Sequence, residues 1–284
     1  MKFSKRTLLV ALSLVMALSA TAFGTIAFLT DSKSVTNTFT YGDVSITLDE
    51  SKVNENGEQL YPIEGEDDLF VSIDENGAIT VTKGEESAVV EDGKAVIGDV
   101  TYEVTYDSEG NILVNGKPVG ENPRVTENEY KLVPGKSYLK DPTVTVAAGS
   151  EESYVRVKVT FTNYTALQAL ATEGSYANVF AMLIPAANTT DWTLYGTEVV
   201  DTTANTVTYE YRYNNTVKPS KTEPVEVPAL FTQITVPTFF DADDLETLQA
   251  GSGFKIVIDG YAVQALGFAD ADAAWTAAEP QFEE

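Results

Sequence analysis

The chain contains no cysteine and no histidine in its 284 residues. The first absence removes disulfides, thiolate nucleophiles and Cys-ligated metal sites. The second removes His-based general acid–base chemistry, His-dependent catalytic triads and every zinc site that needs imidazole. Basic residues are scarce: 18 Lys and Arg stand against 43 Asp and Glu, a formal charge of −25. Such a surface repels nucleic acid and anionic lipid, so neither is an expected partner. No G-x-S-x-G, P-loop, H-E-x-x-H or Rossmann glycine pattern occurs, and no cofactor is expected. Apolar content is nevertheless 43%, enough for a packed core, which separates this chain from acidic disordered proteins.

The one long apolar run is N-terminal. Leu8 to Ala22 is broken only by Ser13, Ser19 and Thr21, and it follows Lys2, Lys5 and Arg6. This is the layout of an export signal. Thr25 and Ala27 put small residues at both positions that cleavage between Ala27 and Phe28 requires; Ala20 and Ala22 support an alternative cut after Ala22. The competing reading is an uncleaved anchor: Leu8 to Leu29 approaches the ~20 apolar residues of a spanning helix, yet carries small polar residues throughout. Cleavage after Ala27 leaves residues 28–284 free of the membrane, and losing three basic residues takes the charge from −25 to −28.

Period-2 patterns dominate the remainder. Val44, Ile46 and Leu48 share a face, as do Val155, Val157, Val159 and Phe161, and Val207, Tyr209, Tyr211 and Tyr213. "FKIVIDGYAVQAL" is apolar on both faces, as a central strand would be. Further short strands are expected near Tyr138–Val146, Trp192–Val200 and Phe231–Val236. Helices are few: Tyr164 to Leu183 split at Gly174, "DADDLETLQAG" capped by Asp241 or Asp243, and "ADADAAWTAAEP" at the C-terminus. The expected fold is mainly β, a jelly-roll-like sandwich with a few short helices. Residues 50–128 are acidic and rich in hairpin turns ("DENGA", "EDGKA", "DSEGN", "VNGKP") without a fixed-period repeat. They read as an inserted β-hairpin subdomain. The division is then 1–27 signal, 28–49 N-terminal strand segment, 50–128 insertion and 129–284 remainder of the sandwich.

Candidate sites are thin. "DENGA" (Asp74–Ala78) and "DSEGN" (Asp107–Asn111) carry oxygen ligands beside a Gly, but neither has the sixth-position Gly and twelfth-position Glu of an EF-hand loop; hairpin turns explain them. Asp67–Asp68, Glu85–Glu86, Glu151–Glu152 and Asp243–Asp244 are carboxylate pairs that a solvated acidic surface accounts for. The Tyr209–Tyr211–Tyr213 row is a carbohydrate platform or, more simply, a packed sheet face. No catalytic and no metal-binding residue is assigned.

Three blocks carry a resemblance. "GTIAFLTDSKSVTNTFTYGDVSITL", "VPGKSYLKDPTVTVAAGSEESYVRVKV" (Val133–Val159) and "GYAVQALGFADADAAW" (Gly260–Trp275) look like the TasA/camelysin family of secreted biofilm-matrix proteins, whose signals are removed by a SipW-type signal peptidase in Gram-positive bacteria. The resemblance implies a jelly-roll-like sandwich, secretion to the extracellular matrix or cell surface, and assembly into fibres as a homo-oligomer or polymer. It also implies donor-strand complementation, in which the N-terminal segment lies in a groove of the next subunit. Phe28, Val35 and Phe39 would be its apolar anchors. The alternative is an ordinary first strand that pairs within its own sheet. The camelysin branch implies a cell-surface metalloendopeptidase, which the missing His and Cys disfavour. A monomeric surface binding module is the third reading.

Overall fold

The computed structural model describes residues 30–34, 37–41, 44–250 and 253–282. It is mainly antiparallel β with a few short helices. The N-terminal strands β1 (Thr30–Ser34) and β2 (Asn37–Tyr41) form a hairpin. Strand β3 (Ile46–Ser51) follows, and the alternation read from the sequence places Val44, Ile46 and Leu48 in the core.

The insertion comes next, as two four-stranded meanders. The first is β4 (Tyr61–Pro62), β5 (Leu69–Ile73), β6 (Ile79–Lys83) and β7 (Glu86–Val89); the second is β8 (Lys94–Ile97), β9 (Val100–Tyr106), β10 (Ile112–Val114) and β11 (Lys117–Pro118). They enclose a core of their own, with Ile63, Leu69, Val71, Val81, Tyr102, Val104 and Val114 buried. The meanders are related by one constant offset. It carries Leu69 to Tyr102, Val71 to Val104, Asp74 to Asp107, Gly77 to Gly110 and Val81 to Val114. The sequence reading found no fixed-period repeat here. The repeat is hidden because only inward positions and turn residues keep their type, while the strands' outer faces are free to vary.

The chain re-enters the sandwich at β12 (Arg124–Val125), which pairs with Ser51 and Glu50 of β3. Glu50, Ser51 and β12 therefore belong to the sandwich, and the module lies slightly inside the range 50–128. Strands β13 (Ser137–Leu139), β14 (Thr143–Val146) and β15 (Ser153–Thr162) follow, then helices α1 (Tyr164–Glu173) and α2 (Val179–Leu183). Gly174 separates the helices as expected; a side chain there would collide with Phe239 and Tyr176. Short strands β16 (Trp192–Leu194) and β17 (Val199–Asp201) line one edge of β18 (Thr206–Tyr213). The remaining elements are β19 (Val225–Glu226), β20 (Gln233–Thr235), α3 (Ala242–Gln249), β21 (Ile256–Gln264) and α4 (Ala271–Ala278). Helix α3 starts in a capping box between Asp241 and Asp244, and α4 on the side chain of Asp270.

Two sheets face each other. One runs β16–β18–β15–β21–β1–β2; the other runs β12–β3–β14–β19. Val155, Val157, Val159, Phe161, Tyr209 and Ile258 pack inward against Ile46, Leu48, Val144 and Val146. The sheets approach closely at Gly260, where a Cβ would lie 3.3 Å from Val144 and 3.7 Å from Ile46. The tyrosine row is a packed face: Phe180 sits 5.4 Å from Tyr209 and 4.9 Å from Tyr211, ring centre to ring centre.

The outer face of the larger sheet is partly covered by α4. Alternation alone assigns Arg156 to solvent, but it is 1% exposed, because Trp275 stacks on its guanidinium at 4.5 Å with Tyr261 and Phe282 alongside. Glu279 and Glu210 accept from its Nη1 at 2.8 and 3.3 Å. Among the described residues no helix is long and apolar enough to cross a membrane.

Candidate functional site: a groove beside an open strand edge

Strand β21 is central only along part of its length. Its β15 side is paired from Ile256 to Gln264, but β1 covers the opposite edge only at Gly260–Val263. Thr162 N–H donates to the Lys255 carbonyl and Ala265 N–H donates to the Glu152 carbonyl, both on the β15 side. Antiparallel alternation then turns the N–H and C=O groups of Ile256 and Ile258 toward the other edge. No strand among the described residues pairs with them there.

A groove of about 670 Å³ opens along this edge. One rim is Ile256–Ile258 and Phe254; the opposite rim is the end of β3 together with residues 126–132, where the chain returns from the module. Leu48, Leu132, Ile234 and Tyr130 give it an apolar lining. Its polar end holds Glu50, Asn128 and Lys140. Lys140 Nζ donates to Glu50 Oε2 at 2.8 Å, and Asn128 Nδ2 donates to Glu50 Oε1 at 2.9 Å. Both charged groups are buried, Glu50 at 4% exposure and Lys140 at 9%. Removing either partner would leave an uncompensated buried charge. Burial, then the charges of Glu50 and Asp141, push the Tyr130 phenol well above its ordinary range; its hydroxyl donates to the Leu139 carbonyl.

The wall is pinned. Arg124 donates through Nε to Asp49, through Nη1 to Asp141 and Ser51 Oγ, and through Nη2 to the carbonyls of Asp49 and Asp141. Asn122 clips the carbonyls of Lys52 and Leu60, and Asn128 accepts from Val53 N–H while donating to the Ser51 carbonyl. The module is thus joined to the sandwich beside the groove through a dense set of hydrogen bonds.

Ala27, Phe28 and Val35 lie outside the described residues. Phe39 falls in β2, opposite Ser32 in the hairpin register. Strand β1 pairs through Thr30–Lys33 with Gly260–Val263 of β21 in the same chain. Asp74 and Asp107 act as turn formers. Each accepts from the N–H groups two and four residues on. The Ala78 N–H first of all holds the Asp74 carboxyl below the usual aspartate range, and the Asn111 side chain, then its N–H, does the same for Asp107. Among the carboxylate pairs, Asp244 is used in the α3 cap and Glu152 binds Thr216 and Lys218. No group of three or more Asp and Glu among the described residues is arranged to hold a metal ion.

Sequence reasoning did not single out Glu50, Asn128, Lys140 or the Ile256–Ile258 edge. One signal was present: Glu50 continues the inward series Val44, Ile46, Leu48, which places a carboxylate on the core face. Lys140 and Asn128 lie in loops, where no periodicity points inward. Comparison with family models, curated proteins and solved structures finds no match to this chain.

Proposed function

We propose that the chain is a secreted structural subunit of an extracellular matrix, with a jelly-roll sandwich, that assembles into fibres by adding a neighbour's N-terminal strand at the groove beside β21. The observation that carries the reading is the edge at Ile256 and Ile258, with which no strand among the described residues pairs, beside a groove partly lined by Leu48, Leu132 and Ile234. An incoming strand would satisfy backbone groups that are otherwise left to water, at about 0.5–1.5 kcal/mol per hydrogen bond. Each apolar anchor seated in the groove adds ~1.5–3 kcal/mol. The N-terminal segment, rich in Thr with Val35 and Phe39 as apolar positions, has the alternation such a ligand needs. In the free chain β1 holds this segment on its own β21, one step from the groove; assembly exchanges it for a neighbour's. The export signal and the TasA/camelysin resemblance support secretion, with a SipW-type peptidase releasing the segment. An enzymatic role is disfavoured by the absence of His and Cys.

The test is deletion of residues 28–40, or replacement of Val35 and Phe39 by Asp, read by electron microscopy and by thermal melting of the monomer. Fibre loss from a chain that still folds, with its melting temperature lowered only as far as the loss of β1 pairing requires, is the expected result. Fibres that persist in the deletion would remove the mechanism, and fibre loss from a chain that no longer folds would make it a consequence of monomer instability. At −28 per mature chain, fibres should strengthen with salt, which screens charge beyond about 10 Å at 0.1 M.

A further inference from the structure

An exported chain without cysteine has no disulfide to secure its loops, yet the polar end of the groove contains the parts of a different covalent link. Glu50 holds a primary amine on one carboxylate oxygen and a carboxamide on the other: Lys140 Nζ at 2.8 Å from Oε2 and Asn128 Nδ2 at 2.9 Å from Oε1. The three side chains come from three separate places, the end of β3, the return from the module and the turn before β14. Lys140 and Glu50 are buried, and the Tyr130 ring lies 5.7 Å from Nζ. Leu48, Leu132 and Ile234 line the same recess. The carboxamide is held in one orientation: Oδ1 accepts from Val53 N–H at 3.0 Å, and Nδ2 donates to the Ser51 carbonyl as well as to Glu50.

We propose that Lys140 and Asn128 are joined by an intramolecular isopeptide bond, formed after folding with Glu50 as the catalytic carboxylate. The chemistry balances without a co-reactant. Glu50 takes a proton from the Lys140 ammonium, and the freed amine attacks Cγ of Asn128. The Val53 N–H is placed to stabilise the oxyanion that develops on Oδ1. Glu50 then delivers its proton to Nδ2 and the Cγ–Nδ2 bond breaks; the remaining extra proton on the attacking nitrogen passes through Glu50 to the departing ammonia, which leaves as ammonium and returns Glu50 to its carboxylate. One amide has replaced another, with no change in oxidation state. One feature favours it. The amine and the carboxamide are held on the two oxygens of one carboxylate, which lowers the entropic cost of bringing them together. The product would fasten the return from the module at Asn128 to the connection between β13 and β14 at Lys140, so that the groove keeps its shape without a disulfide.

The experiment is the intact mass of the mature secreted protein, followed by peptide mapping. The expected mass is one ammonia below the value calculated from the sequence, with a branched peptide joining residues 128 and 140. In E50Q, which preserves shape and removes the base, the full mass should return and the melting temperature should fall. K140R should likewise restore the full mass. A wild-type protein of full mass, with the Asn128 amide intact and Lys140 recovered as a free amine, would overturn the proposal. So would an ammonia loss mapped to any other pair, or an Asn128 hydrolysed to Asp. Should E50Q not fold, the wild-type mass and map decide alone.

Discussion

The sandwich and the inserted module bury their cores by the same alternation of side chains but connect their strands in opposite ways. The module is two local meanders, each strand paired to the next in sequence, with turn chemistry fixing the register. Asp92–Gly93 and Asn115–Gly116 have positive φ at both residues, as two-residue hairpins prefer, and the Asp74 and Asp107 loops close on their own carboxylates. The sandwich instead joins distant segments: β3 to β14 across the whole insertion, and β15 to both β18 and β21. The local design lets an insertion fold as a unit without disturbing its host. The long-range design leaves strand edges whose pairing depends on which segment arrives, and the open stretch at Ile256–Asp259 is one of these.

The largest expected effect that separates the two regions comes from their cores. Phe161→Ala removes a ring packed against both Phe180 and Tyr209. It should cost the sandwich about 3–5 kcal/mol. Leu69→Ala should cost the module about 2–5 kcal/mol. Calorimetry should show the first lowering the sandwich transition and the second only the module transition. A single transition shifted equally by both would mean that the two regions fold as one unit.

A smaller effect is expected where the facing sheets touch. Gly260→Val inserts side-chain atoms against Val144 and Ile46, and overpacking should cost about 1–3 kcal/mol. It should also weaken β1 pairing, since Gly260 is the register partner of Lys33. Hydrogen exchange of residues 30–33 reads that loss directly; unchanged protection with lowered stability would separate packing from pairing.

The smallest effect is a pH dependence confined to the module. Backbone N–H groups depress the Asp74 carboxyl, and the Asn111 side chain and backbone depress that of Asp107. A depressed carboxyl contributes stability that is present above the unfolded-state value and lost as pH falls through the lower folded-state value. The module transition should therefore weaken below the ordinary aspartate range, and D74A/D107A should flatten that dependence. An equally steep slope in the double variant would assign it to other acids.

Much of this organisation is legible in the sequence because period-2 alternation and turn residues are local signals. The inward faces of β3, β15 and β18, the break at Gly174 and the Asp-capped helices all follow from them. Three features do not. Arg156 sits on the polar face by alternation, and only the distant Trp275, Tyr261 and Phe282 turn that position into a buried one. The paired meanders keep only scattered core and turn positions in common. The groove is made by β3, the return from the module and β21, none adjacent in sequence, so no local pattern announces it. Glu50 is the exception, since its parity already points it inward.

In the proposed fibre the edge at Ile256 and Ile258 receives a strand from a neighbouring copy. Amide hydrogen exchange of those two residues tests this, measured on monomeric mature protein and on fibres of the same protein. Rapid exchange is expected in the monomer and strong protection in the fibre. A fibre mixed from labelled and unlabelled copies should also show contacts between this edge and the N-terminal segment of a different copy. Equal protection in both states, or fibre contacts only within one copy, would contradict it.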